Sequence, residues 1–287
     1  MNKTETSEGI NKRSRFSLFW CLAIFFALIW FLIAGGPFYY LIMISLKGQA
    51  DFMSGNLFGL PKIWNFSNFT DVINGSFRTY FLNSVVVLAI SLGLLLFISS
   101  FVSYPLARMK YKLNRPMFSL IVASMSIPIH ITLIPIFIMM IGVNLYDTIF
   151  ALVGPYVAFN LPISVFILTA FMQGISAEME EAAEIDGCGK FRTFFKIIFP
   201  LSKPGLATLA IYNGVIIWNE FSFAMILTQS PGARTLPMGV YAFRTEHSIN
   251  IPLTMAFLLL ASLPMILFYI FGQDKLIKGM MAGAVKG

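Results

Sequence analysis

Long apolar runs alternate with short charged breaks along this chain, and the breaks set the element boundaries. No Asp, Glu, Lys or Arg occurs between Arg15 and Lys47, Arg78 and Arg108, Arg115 and Asp147, Asp147 and Glu178, or Glu246 and Asp274. Each stretch exceeds the roughly 20 residues that an α-helix needs to cross about 30 Å of hydrocarbon. A sixth run, from about Pro204 to Leu227, is interrupted only by Glu220. None has the alternation of a membrane β-barrel strand, and in lipid only helices or closed barrels satisfy every backbone group. The pattern predicts an all-α integral membrane protein with six transmembrane helices.

Composition agrees. Of the 287 residues 57% are hydrophobic and 11% charged, with 30 Phe and 16 Met and a mean hydropathy of +0.79; soluble domains carry about 25% charged residues. The net charge of +7 is spread through the breaks and forms no polyanion-binding face, so nucleic acid is not an expected partner. Its distribution orients the chain instead. Lys3, Lys12, Arg13 and Arg15, then Arg108, Lys110, Lys112 and Arg115, then Lys190, Arg192, Lys196 and Lys203, then Lys275, Lys278 and Lys286 fall on one side. Lys47, Lys62, Arg78, Arg234 and Arg244 fall on the other. The positive-inside rule makes the first side, with both termini, cytoplasmic.

The expected layout is a cytoplasmic tail over 1–16, a first transmembrane helix over 17–44, an extracytoplasmic loop over 45–80, a core over 78–272 and a cytoplasmic tail over 273–287. The first run lacks a small-residue cleavage site, so it reads as a retained span. Prolines at 105, 128, 135, 155, 162 and 264 are expected to kink spans. Cys21 and Cys188 fall in different environments, and neither a disulfide nor a metal-ligand spacing follows from them.

One cytoplasmic break, about 175–203, is long and structured in its own right. Ser176 is placed as an N-cap, with Glu178, Glu180 and Glu181 in the first turns, where they complement the helix dipole. Gly187 is placed as the stop. Beyond it Phe191, Phe194, Phe195 and Ile198 form one apolar stripe on a second short helix. A membrane-surface hairpin is disfavoured, because the acidic first half would be repelled by anionic lipid. Small Ala182 and Ala183 suit close approach by a protein partner.

The sequence Glu181-Ala182-Ala183, then Gly187, Ile197 and Phe199-Pro200 resembles the EAA loop of binding-protein-dependent ABC importer permeases, with Phe199 where Leu is usual. Asn83-Ser84, Ser103-Tyr104-Pro105-Leu106-Ala107-Arg108, Leu133-Ile134-Pro135, Pro155-Tyr156, Leu161-Pro162, Trp218-Asn219-Glu220-Phe221 and Thr235-Leu236-Pro237 resemble the carbohydrate (MalG-like) branch. The resemblance covers roughly 78–272. It implies the type I ABC importer permease fold, with a cytoplasmic coupling helix between helices 4 and 5 that docks on an ATP-hydrolysing subunit. Glu178, Glu181, Ala182, Ala183, Asp186 and Gly187 are the coupling residues implied. Further implied partners are a second, similar permease, two ATP-binding subunits with their ATP and Mg, and an extracytoplasmic solute-binding protein facing the loop around Ser230-Pro231-Gly232-Ala233-Arg234. The cargo implied is an oligosaccharide, with a polyol or other polar solute as the alternative.

No cofactor is expected in this chain. A phosphate-cradling G-x-x-x-x-G-K-[ST] loop is missing: Gly189-Lys190 has Glu184 at the first glycine position and Phe191 after it. His130 and His247 lie far apart in topology, and no nucleophile triad or paired carboxylates stand out, so the chain is not expected to be an enzyme. Glu220 is the one acid within a predicted span, roughly 24 Å along a helix from Pro204, and intramembrane acids are functional candidates. With Asn83 and Asn219 it is assigned to the translocation path or outer gate; Asn160 and Asn213 either line a hydrated path or bond between helices. A secondary transporter would need midplane ion-coupling charges and internal repeats, which are not seen. An intramembrane enzyme would need paired catalytic groups at one depth.

Overall fold

The computed structural model describes the backbone over 5–243 and 249–284, with side chains over 19–243, 249–270 and at 272. The basic side chains of both tails, Arg244, Glu246 and His247 lie outside the described residues. The elements are helices: α1 (Glu5–Ser45), α2 (Gln49–Met53), α3 (Ser67–Val72), α4 (Arg78–Arg108), α5 (Asn114–Ser124), α6 (Leu133–Gly142), α7 (Val153–Gln173), α8 (Glu178–Ile185), α9 (Lys190–Thr193), α10 (Phe199–Leu201), α11 (Lys203–Trp218), α12 (Ser222–Leu227) and α13 (Ile251–Ala284). The chain divides into two compact units, 1–71 with 245–259, and 72–244 with 260–287.

In the first unit α1 is one helix through the expected tail boundary at 16, because nothing in that stretch breaks it. The following segment is folded, not a simple loop. Asn68 Nδ2 donates to the carbonyls of Ser45 and Lys47, both at 2.8 Å. Asn65 N–H donates to Leu46 O at 2.8 Å. Buried Lys47 donates through Nζ to Asn56 O.

The second unit is built on α4, α7 and α11. Buried Ser84, Val87, Ser91, Leu95, Ser99 and Ser103 recur every three or four residues along α4. Such small side chains let helices approach closely within a membrane, and Ser103 Oγ reaches Val165 O of α7 at 3.3 Å. Asn213 of α11 donates to Ser164 Oγ of α7 at 2.9 Å, an interhelical bond, whereas Asn160 bonds back to Tyr156 O within α7. A Cβ at Gly205 would stand 2.9 Å from the Phe171 ring, so glycine is what permits α11 to cross α7 there. Two apolar clusters result. One gathers Val87, Leu152, Tyr156, Phe223 and Leu227, the other Tyr104, Leu168, Met172, Phe194, Ile198 and Leu209.

Four helical stretches, Phe19–Ser45, Ser67–Arg108, Ile149–Gln173 and Ile251–Ile270, are long and apolar enough to cross a membrane, and two bent pairs bring the number to six among the described residues. The expected kink at Pro128 is present, as the larger of the two bends. Asn114–Ser124 and Ile129–Gly142 meet at 87°, with Pro128 between them; Lys190–Leu201 and Lys203–Trp218 meet at 66°. The run from Pro204 to Leu227 is also broken, at Asn219–Phe221. Not every proline interrupts its helix. Pro105, Pro162 and Pro264 sit inside continuous helices. Pro135 and Pro155 fall in the first turns of α6 and α7, where a missing N–H costs nothing.

Candidate functional site: a charged helix and a broken span

The residues singled out in the charged segment form α8. Its start is as expected: Ser176 Oγ accepts from Glu178 N–H at 3.3 Å, the bond of an N-cap serine, and Ala177 already has helical φ and ψ of −66° and −29°. The three acids of its first turn complement the helix dipole. Its end is as expected. Gly187 has φ of 76°, its N–H bonds Glu184 O at 3.0 Å, and Cys188 N–H bonds Ala183 O at 2.8 Å. This is the Schellman pair, with glycine at the left-handed position.

The helix sorts its residues by face. Glu178, Glu181, Ala182 and Ile185 follow the i, i+3, i+4, i+7 rule and are exposed, Ile185 by 87%. Asp186 and Gly187 are exposed too. Ala183 is not. It is 4% exposed against its own chain, which corrects the expectation that both alanines are open to a partner. One hundred degrees of rotation per residue puts Ala182 outward and Ala183 inward.

Glu180 shares the inward face with Ala183. Arg108 Nε lies 3.2 Å from its Oε1, and the two side chains are only 9% and 14% exposed. Arg108 Nη2 also donates to Ser176 O at 3.1 Å. Tyr104 OH donates to Lys190 O at 3.4 Å. Phe101 sits against the rings of Phe194, Phe195 and Phe191, at 5.0, 5.6 and 6.3 Å. The expected phenylalanine stripe is therefore split. Phe194 and Ile198 are buried, while Phe191 is 71% exposed, because a π-type turn over Phe194–Ile198 rotates the stripe.

At the other end of the unit, Glu220 sits where α11 stops and α12 begins. Its Oε1 accepts from Phe223 N–H at 2.9 Å and its Oε2 from Ala224 N–H at 3.3 Å and from Tyr156 OH at 2.7 Å. A carboxylate receiving two free N–H groups of a helix start is a charged N-cap. Asn219, exposed, donates back to Val215 O at 2.8 Å. Asn83 is committed elsewhere, donating to the carbonyls of Gly232 and Arg234 at 2.8 and 2.9 Å, while Ser84 Oγ accepts from Leu236 N–H at 2.8 Å.

Asp147 completes the hold on that 229–236 loop. Its Oδ1 accepts from Gln229 and Ser230 N–H at 2.7 and 2.8 Å, and its own N–H bonds Leu227 O at 3.0 Å. Burial raises the Asp147 carboxyl, but the Ser230 and Gln229 amides, the Ser230 hydroxyl and the Arg234 guanidinium outweigh it and hold its pKa below the ordinary 3.8. In the sequence Asp147 stands out only as the boundary between two apolar runs. Asp147 adopts φ of 58°, a conformation that the aspartate of a tight turn tolerates. Tyr156 belongs to a short motif, and Arg108 to a motif and to the charges that orient the chain; neither is singled out as a site residue by the sequence. The signal for Arg108 is its spacing with Phe101 and Tyr104 on one face of α4.

Known proteins resemble this chain in sequence and fold. The family described as binding-protein-dependent transport system inner membrane component matches residues 97–281. The ABC transporter permease protein ORF2 of Caldicellulosiruptor sp. is 52% identical, over 91% of this chain and 95% of its own. The melibiose/raffinose/stachyose import permease MelC of Bacillus subtilis is 35% identical, over 88% of this chain and 91% of its own. A chain in the crystal structure of a bacterial ABC transporter involved in the import of the acidic polysaccharide alginate superposes with a TM-score of 0.73 at 22% identity, covering 96% of this chain and 99% of that one. The fold is therefore that of an ABC importer permease, and the chain belongs to the family of binding-protein-dependent transport system inner membrane components.

Proposed function

We propose that this chain is one of two permease subunits of an ABC importer for an oligosaccharide, lying in the cell membrane with both termini in the cytoplasm. Two partner subunits would bind ATP and Mg and hydrolyse the nucleotide, and an extracytoplasmic solute-binding protein would deliver the sugar. The observation that carries the reading is the face of α8 made of Glu178, Glu181, Ala182 and Ile185. An 87% exposed isoleucine stands beside two carboxylates that have no partner among the described residues, and this face suits a partner that buries the apolar residue and pairs the acids. The cargo class is supported by relatives: MelC, and the arabinooligosaccharides permease AraQ of Halalkalibacterium halodurans at 34% identity over 94% of this chain. Closure of the ATPases would press the α8 face, and the bundle would rock between inward- and outward-facing states. Glu220, Asn219 and Asn83 would belong to the outer gate, where they hold the α11–α12 break and the 229–236 loop.

Cysteine crosslinking in the assembled complex tests the docking. Ala182→Cys is expected to form disulfides with cysteines placed on an ATP-binding subunit, and Ala183→Cys to form none. Absence of crosslinks from Ala182→Cys would remove the coupling role. Uptake of labelled oligosaccharides against polyols by the same complex tests the cargo, and transport of polyols alone would overturn that part.

A further inference from the structure

The α8 segment is joined covalently to the spans on either side through breaks between helices. Before it, residues 174–177 lie between α7 and α8, and after it the chain turns through the 66° bend between Leu201 and Lys203. A further path from α8 into the bundle is noncovalent. Phe101, Tyr104 and Arg108 stand three and four residues apart on one face of α4 and touch both halves of the segment: Arg108 grips Glu180 and Ser176 at the start of α8, and Tyr104 and Phe101 hold the start of α9. The guanidinium is planar and presents its donors in a rigid fork, so two simultaneous bonds fix direction as well as distance. Its near-complete burial matters too. A surface ion pair of the Lys190–Glu184 kind exchanges freely with water, whereas this pair does not separate without stranding a charge. Beyond Arg108, the small-residue seam of α4 from Ser84 to Ser103 packs along α7.

We propose that Arg108, through Glu180 and Ser176, is the positioning residue that makes α4 move with α8, so that work done on the coupling helix enters the bundle through the second span and not through the two spans joined to it by the chain. The inference rests on the permease reading above and adds to it a route and a residue. Arg108 touches neither nucleotide nor sugar. Its loss separates ATP hydrolysis from transport.

The test uses the assembled complex in proteoliposomes, comparing wild type with Glu180→Gln, Arg108→Glu and the swap Arg108→Glu with Glu180→Arg. Stimulation of ATP hydrolysis by the sugar-loaded binding protein, and sugar carried per ATP, are expected to fall on the order of tenfold in the two single variants. Unstimulated hydrolysis should persist, and the swap should recover much of the loss. Spin labels at Lys110 and Met179 supply a readout that mere destabilisation does not move. Their separation should stay constant on ATP binding in wild type and change in Glu180→Gln. Should Arg108→Glu fail to assemble, Glu180→Gln, which keeps the side-chain volume and one acceptor, carries the test. Wild-type coupling and a constant label distance in Glu180→Gln would overturn the route while leaving the permease reading intact. A wild-type complex that the loaded binding protein does not stimulate would overturn both.

Discussion

Two short helices in this protein begin with acids, and they use them in opposite ways. At α8, Glu178 and Glu181 in the first turn face water and make no bond to the helix start. At α12, Glu220 folds its carboxylate over the first turn and takes a third bond from Tyr156. The electrostatics are the same in both, a negative charge near the positive end of a helix dipole. Surroundings make the difference. In water the N–H groups of α8 are solvated and the acids stay free to meet a partner. Among apolar side chains the N–H groups of α12 have no other acceptor, so the acid is consumed in holding the chain together.

Mutation of the two acids sharpens that contrast. Glu220→Ala leaves two helix N–H groups and the Tyr156 hydroxyl unpaired and should lower stability by about 3 kcal/mol, read as a lower unfolding temperature of the purified complex. Glu181→Ala should leave that temperature unchanged and reduce binding to the ATP-binding subunits instead. Equal destabilisation by both would erase the distinction drawn between the two helices.

A smaller effect is expected at the end of α8. Nothing lies within 4 Å of a Cβ added at Gly187, so Gly187→Ala tests the backbone alone. At φ of 76° an alanine pays for the left-handed conformation, about 1 kcal/mol. Hydrogen exchange should then show faster opening of the Cys188 and Gly187 amides, with exchange in α12 unaltered. Unchanged exchange would mean that the Schellman pair contributes nothing to stopping α8.

The smallest effect concerns the loop beside the α12 end. The folded pKa of Asp147 lies below its ordinary 3.8, so its hold on Gln229 and Ser230 is fully present above that value and is lost as pH falls through the folded pKa. A spectroscopic label at Ser230→Cys should report a mobile loop only in strongly acidic buffer. Asp147→Asn should remove the pH dependence. A loop that loosens near neutral pH would show that another group controls it.

Much of this was legible in the residues. Charges placed at intervals along an apolar chain delimit the helices, because charge and hydrocarbon exclude one another, and the spacing from Glu181 to Pro200 marked out the charged segment. The bends were not legible. A proline reads the same whether it sits in a first turn, as Pro155 does, within a helix, as Pro162 does, or at an 87° break, as Pro128 does. What decides is where in the folded helix the proline falls, and that depends on the packing around it. The side of α8 was equally hidden. Glu180 and Glu181 are adjacent and identical, yet one is an internal ion-pair partner and the other is free.

By itself, then, the sequence determined that this protein is a bundle of apolar helices carrying one charged segment, since those are consequences of composition and period. The tertiary structure decided which acid is spent and which is offered. It put Glu180 under Arg108, Glu220 over the start of α12 and Asp147 against the Gln229 and Ser230 amides. Each outcome depends on a donor brought in from a distant part of the chain, and a linear string of residues carries no distance between its parts.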